Sequence, residues 1–295
     1  MSVSAVPVLM VGELLWDRFP HKEVLGGAPA NVAFRVHEQG CGVALCSRVG
    51  VDALGDEALR VLTQKGLDVR FIQRDPVLPT GVVDVLMDVQ GDAHYTIRQH
   101  VAYDALETPL DILNVAGQAS VVCFGTLIQR AEVSAHAVAR LVEAAHKAEV
   151  WVDVNLRTDC YTQESVFRSL AWADVAKLNG DEATLLASWF GWQGLSMQAL
   201  CAALRERFGL KTCVITLGAQ GGVACGADAA QAFWKAPPVQ VVDTVGAGDA
   251  FTAGCMVAML RGASLQEACD AGAVLGSKVA GTAGGMTPVV HSDVL

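Results

Sequence analysis

Two hydrophobic rhythms alternate along this chain. Short runs that are apolar at nearly every position fall at 6–12, 43–49, 120–124, 150–154, 175–178, 212–216 and 222–225. Longer stretches at 30–39, 56–65, 133–146, 181–190, 196–208, 250–260 and 265–281 read as helices, most with apolar residues recurring every three or four positions. The short runs predict strands buried on both faces. Their alternation with helices predicts an α/β fold, a mostly parallel sheet covered by helices on both sides. Ligands in such sheets bind beyond the C-terminal ends of the strands.

Two segments break the alternation. Residues 13–25 separate the first strand from the first helix and carry Trp16, Phe19, Pro20 and His21. Residues 80–103 read as a hairpin: a strand at 82–89, a turn at Gln90-Gly-Asp92, and a strand at 93–99. Val82 and Leu86 share one side of it; Val83, Val85, Met87 and Val89 share the other. A lone hairpin is marginal in water, so the two segments are expected to pair as a small antiparallel lid; the alternative is an edge hairpin without function. With both sides partly apolar, one is expected to face a ligand cleft and the other a second subunit, giving a possible homodimer. Nothing suggests a linker or repeat, and 1–295 is expected to form one domain.

Composition narrows the possible partners. The chain of 295 residues is 52% hydrophobic, 18% charged and carries a net charge of −10, which argues against nucleic acid. Nine cysteines are scattered, odd in number and without a Cys-x-x-Cys pair, which points to free thiols in a reducing cytoplasm and argues against zinc. Residues 1–10 have no basic leader, and no apolar run is long enough to span a membrane.

The densest chemistry lies in Asp243-Thr-Val-Gly-Ala-Gly-Asp-Ala-Phe-Thr-Ala-Gly254. Gly246, Ala247 and Gly248 let a ligand approach the backbone, and the apolar run behind them predicts a buried helix whose first-turn amides favour an anion. Asp249, a carboxylate beside that anion site, suits a base that takes a proton from the attacking nucleophile. No P-loop is present, because Gly209-Leu-Lys-Thr212 lacks the upstream glycine, and Phe251 breaks a dinucleotide fingerprint.

This stretch resembles the C-terminal signature of the ribokinase-like (PfkB) carbohydrate kinases. Four further motifs resemble that family in order: Gly12-Glu-Leu-Leu-Trp-Asp17 with Gly26-Gly-Ala-Pro-Ala-Asn31, Asp153-Val-Asn-Leu-Arg157, Asn179-Gly-Asp-Glu182, and Thr216-Leu-Gly-Ala-Gln-Gly-Gly222. The resemblance implies a three-layer sandwich with a β lid, and an ATP-dependent sugar kinase. Its sugar-side motifs are most like those of fructokinases; 2-keto-3-deoxygluconate kinase, ribokinase and a non-catalytic sugar sensor are the alternatives. The resemblance implies sugar contacts at Asp17, Gly26, Gly27, Asn31 and Asn155. Arg98 is either a lid contact to the sugar or part of a solvated strand face. Arg157 either assists catalysis or belongs to a structural ion pair. ATP is expected at Asn179, Glu182, Thr216, Gly218, Gly221 and Ser277, with adenine between the 216–222 loop and the helix around 274–278. Glu182 is expected to act on Mg²⁺ through water. Asp243, Val245 and Gly284 form a possible K⁺ site, or Asp243 simply caps its own turn.

Overall fold

The computed structural model describes residues 7–87 and 93–289. In chain order the strands are β1 (Val8–Val11), β2 (Leu15–Phe19), β3 (Lys22–Gly26), β4 (Val43–Gly50), β5 (Ile72–Asp75), β6 (Gly81–Met87), β7 (Ala93–Ile97), β8 (Val121–Gly125), β9 (Glu149–Asp153), β10 (Val175–Asn179), β11 (Thr212–Thr216), β12 (Gly222–Cys225) and β13 (Gln231–Trp234). The helices are α1 (Ala28–Glu38), α2 (Ala53–Gln64), α3 (Leu110–Gln118), α4 (Glu132–Ala144), α5 (Gln163–Trp172), α6 (Gly180–Phe190), α7 (Met197–Phe208), α8 (Ala247–Leu260) and α9 (Leu265–Ala280).

Nine strands form one sheet in the order β13-β12-β11-β10-β9-β8-β1-β4-β5. Pairing is parallel from β11 through to β5; β12 and β13 run antiparallel at one edge. Alternate residues of each strand feed opposite faces. Leu9, Val11, Val122, Phe124 and Val152 join one buried cluster with residues of α3 to α7, among them Ile112, Leu141, Leu170, Leu186 and Leu204. Val8, Met10, Val121, Cys123 and Trp151 join a second cluster with residues of α1, α2, α8 and α9, such as Phe34, Leu62, Phe251 and Cys269. The result is three layers with a core on each side of the sheet.

The two segments that broke the alternation form a separate four-stranded sheet, β3-β2-β6-β7. Each hairpin is antiparallel, as expected. The hairpins meet through a parallel β2–β6 contact, in register Leu15 with Gly81 through Arg18 with Asp84, so the sheet is mixed rather than wholly antiparallel. Leu15, Val83 and Val85 enter the core cluster, whereas Leu86 is 64% exposed. The hairpin's second strand stops at Ile97, and the turn expected at 90–92 lies outside the described residues. Four elements went unpredicted: β5, β13, α3 and α5.

Candidate active site

The site lies where five neighbouring strands end. Gly12 and Glu13 follow β1, Gly125 closes β8, Asp153 closes β9, Asn179 closes β10 and Thr216 closes β11. In the sheet register Gly125 lies beside Asp153, and Asp153 beside Lys177. Two residues back, Trp151 and Val175 face the α8 layer, so Asp153 and Lys177 face it too. There Lys177 Nζ donates to Asp153 Oδ1 and Oδ2 at 3.0 and 3.1 Å, and Thr252 Oγ1 of α8 donates to Asp153 Oδ2 at 2.8 Å. Burial alone would lower the Lys177 pKa, but the charges of Asp153, Glu182 and Asp249 outweigh it and the pKa is raised. A buried pair of this kind is costly to break from one side.

Helix α8 is preceded by a capping residue, Gly246, which has φ 79° and ψ −1°. A Cβ there would stand 2.6 Å from Gly285 Cα, so both backbone angle and space require glycine. The first helical-type bond is donated by the Ala250 amide to Gly246 O, which leaves the Gly248 and Asp249 amides ahead of the ladder. Asp249 is 9% exposed, and its Oδ2 accepts a 2.8 Å bond from Asn31 Nδ2 of α1. Burial, then the nearby Asp153 charge, push the Asp249 carboxyl from 3.8 to about 6, against the Asn31 bond and the Lys177 and Arg157 charges. Asn31 Oδ1 is buried and unpartnered within the protein.

Strand β2 of the lid supplies Asp17. A Cβ on Gly26 would come 2.6 Å from Asp17 Oδ2, and one on Gly27 (φ 110°) would run into the Glu13 carbonyl. The paired glycines therefore let the β3–α1 turn lie directly on the β1–β2 segment. Burial raises the Asp17 carboxyl to about 6 against the Arg157 charge. Arg157 is exposed, yet its charge reaches Glu13, Asp17 and Asp249, so it faces this cleft. Asn155 adopts φ 42° and lines a small cavity with Glu13 and Asp153. Arg98 takes the other course. Its amide bonds Val82 O, its guanidinium grips Asp84 at 2.7 and 2.9 Å, and the pairing puts it on the lid face opposite Asp17. The solvated strand face is therefore its place, and the sugar contact considered for it is withdrawn.

A second compartment adjoins the same turn. Thr216, Gly218, Gly221, Gly248, Phe251 and Ser277 are among the residues lining a cleft of about 510 Å³. Its apolar wall includes Trp234, stacked on Phe251 at 5.2 Å, together with Pro237, Pro238 and Val239. None of these wall residues was singled out from the sequence; the Ala236-Pro-Pro-Val239 loop between an edge strand and the glycine turn was the available signal. Gly221, at φ 92°, lies so close to the Trp234 carbonyl that no side chain fits. Asn179 caps α6, with Oδ1 accepting from the Glu182 amide, and Glu182 answers by accepting from the Asn179 amide through Oε2. Its Oε1 accepts from the Leu156 amide, so Glu182 ties the 153–157 loop to α6. Burial raises its pKa. Asp243 accepts from the amides of Val245 and Gly284, both at 3.0 Å, clasping the two loops that flank Gly246. The 285–287 segment is fixed in turn by fully buried Arg35, which donates to the carbonyls of Gly285 and Thr287.

A carboxyl placed between a cleft lined by polar side chains and a turn with two amides outside the helix ladder suits transfer of a charged group to an alcohol. The family model for pfkB family carbohydrate kinases matches residues 20–292. The chain belongs to the pfkB family of carbohydrate kinases. It is 31% identical to an aminoimidazole riboside kinase of Salmonella typhimurium, over 98% of this chain and 93% of that protein. It is 30% identical to a fructokinase of Klebsiella pneumoniae, over 85% of this chain and 84% of that one. Among solved structures, a Xylella fastidiosa fructokinase with bound ATP superposes with TM-score 0.82 at 21% identity, covering 96% of this chain and 94% of that one. A Vibrio cholerae fructokinase with fructose, ADP and calcium gives 0.81 at 22% identity, covering 96% of each chain. These two likenesses show that the fold is shared over nearly the whole chain. Among the described residues of this pfkB kinase, no helix is long and apolar enough to cross a membrane, and no cluster of three His, Cys, Asp or Glu groups could hold a metal by itself.

Proposed function

We propose that this pfkB kinase transfers the γ-phosphoryl group of ATP to a hydroxyl of fructose, yielding fructose 6-phosphate and ADP. The observation that carries the reading is the buried Asn31–Asp249 pair at the start of α8, between the Asp17 cleft and the larger compartment. Asp249 takes the proton of the acceptor hydroxyl, whose oxygen forms the new P–O bond as the bond to ADP breaks. Asn31 holds the carboxylate by its Nδ2 and keeps Oδ1 for the sugar. Asp17, Gly26, Gly27 and Asn155 complete the acceptor cleft, and Arg157 offsets negative charge at its mouth. The amides of Gly248 and Asp249 receive the transferring group, while Thr216, Gly218, Gly221 and Ser277 line the nucleotide cleft.

Both carboxylate oxygens of Glu182 already accept backbone amides, so Glu182 fits Mg²⁺ only through water, using its remaining lone pairs. When bound, Mg²⁺ would neutralise charge on the phosphate oxygens. Asp243 with the carbonyls of Val245 and Gly284 is a weaker fit for K⁺, since both its oxygens serve the turn.

A riboside acceptor is the second reading, favoured by the aminoimidazole riboside kinase relative that spans 98% of the chain. A screen of fructose, 2-keto-3-deoxygluconate, ribose and aminoimidazole riboside with ATP, reading ADP release, tests both. The highest kcat/KM should belong to fructose. A higher value for the riboside would overturn the fructose reading, and no turnover with any sugar would favour a non-catalytic sensor.

A further inference from the structure

The acceptor cleft contains a further carboxyl, Glu13, to which the mechanism above gives no task. Glu13 leaves the end of β1, is 5% exposed, and uses one oxygen within the protein. Its Oε1 accepts from the Ala28 amide at 3.2 Å; Oε2 is buried without a partner. The side chain lines a cavity with Met10, Ala28, Pro29, Asp153 and Asn155, whose volume of about 10 Å³ suits a single hydroxyl or water rather than a sugar ring. The charged and titratable groups that face Glu13 come from several elements. They are Asp153 at the end of β9 with Arg157 after it, Cys123 of β8, Asp249 on α8, and Tyr103 at the foot of the lid, whose own hydroxyl is buried and unpartnered. Glu13 Oε2 and Asn31 Oδ1 are thus two unpartnered acceptors flanking the start of α1, an arrangement that calls for a ligand rich in hydroxyl donors.

We propose that Glu13 is a further specificity residue for the acceptor, its Oε2 accepting a hydrogen bond from one sugar hydroxyl seated in that cavity. The inference rests on the acceptor site proposed above. Through Oε1 the same side chain supports the Gly27–Ala28 turn, so one carboxyl links the shape of the turn to recognition. Burial lifts the Glu13 carboxyl from 4.5 to about 7, opposed chiefly by a hydrogen bond from its own amide and the Arg157 charge. The ionised form is the stronger acceptor. Sugar affinity therefore falls as the pH drops through about 7.

Calorimetric titration of fructose into Asp249→Asn, which removes the Asp249 titration, and into the same protein carrying Glu13→Gln, tests this. The Glu13→Gln substitution keeps an oxygen for the Ala28 amide and removes the charge. The expected result at pH 8 is a fructose Kd weakened roughly tenfold, with ATP affinity within twofold. The pH step near 7 should vanish, leaving the Asp17 step near 6. An unchanged Kd with the step near 7 intact would overturn the role of Glu13. An equal loss of ATP affinity would also overturn it, by showing a merely structural effect. Failure of fructose to bind either protein at any pH would overturn the acceptor reading itself.

Discussion

Asp249 is held in a compromise between reactivity and stability. Its carboxyl at about 6 is ionised at neutral pH, yet far more basic than an exposed aspartate. Asp249→Asn should lower kcat by at least ~10²-fold while ATP affinity stays within a few-fold, measured by coupled assay and calorimetry. In the wild type at saturating sugar, kcat should fall as pH drops below about 6, rather than below 4. The stability sign runs the other way. The folded pKa lies above the unfolded 3.8, so the folded state holds the extra proton between those values. Stability is lost as pH rises through that window and stays lost above it. Asp249→Asn should therefore melt above wild type at pH 8, by roughly 1–3 kcal/mol of unfolding free energy, with the gap closing near pH 4. On the acceptor side, Asp17→Ala and Asn31→Ala should each raise the sugar KM roughly ten- to a hundred-fold and leave the ATP KM nearly unchanged. An unchanged sugar KM in both would remove them from the acceptor site.

At the scale of elements, helix α8 depends on a turn that only glycine completes. Gly246→Ala would place a side chain in the left-handed region, costing roughly 1–2 kcal/mol, and against the Gly285 backbone. Urea unfolding should show at least that loss, and activity should fall with it because the anion turn shifts. Much of this architecture was legible in the chain. The runs at 212–216 and 222–225 are the observed β11 and β12 to the residue, and the Gly246–Asp249 turn opens a helix as read. What escaped has physical reasons. Strand β5 reads Ile-Gln-Arg-Asp, an edge strand whose polar residues give no apolar run. Helix α5 offered a subtler signal, since Thr162 caps it by accepting from the Ser165 amide and Ser165 Oγ accepts from the Thr162 amide in return. The parallel β2–β6 join and the Asp153–Lys177 pair depend on which strands become neighbours, and local periodicity carries no such information. Glu13 was passed over because a carboxylate beside a glycine reads as a turn until its burial is known.

For the whole molecule, the lid has two faces, one carrying Asp17 and the other turned away from it. Leu86 is exposed on the lid face that carries the Asp84–Arg98 and Arg18–Glu23 pairs. If that face joins a second copy, light scattering at micromolar concentration should return twice the monomer mass, and Leu86→Arg should return it to the monomer. A monomeric wild type would dispose of the dimer and leave the kinase unaffected. A different consequence follows from the way α1 is held. Asn31 meets Asp249 across 218 residues, Arg35 meets Gly285 across 250, and Glu38 accepts the Val289 amide across 251. During synthesis at about 5–20 residues per second, α1 leaves the ribosome roughly 10–50 s before its partners exist. Over that interval its buried face, including Val32, Phe34 and Val36, must be sheltered by other means. The nascent chain should therefore be open to protease near α1 until the last helices emerge, and a kinase cut short before 247, which lacks α8, should expose the same face permanently.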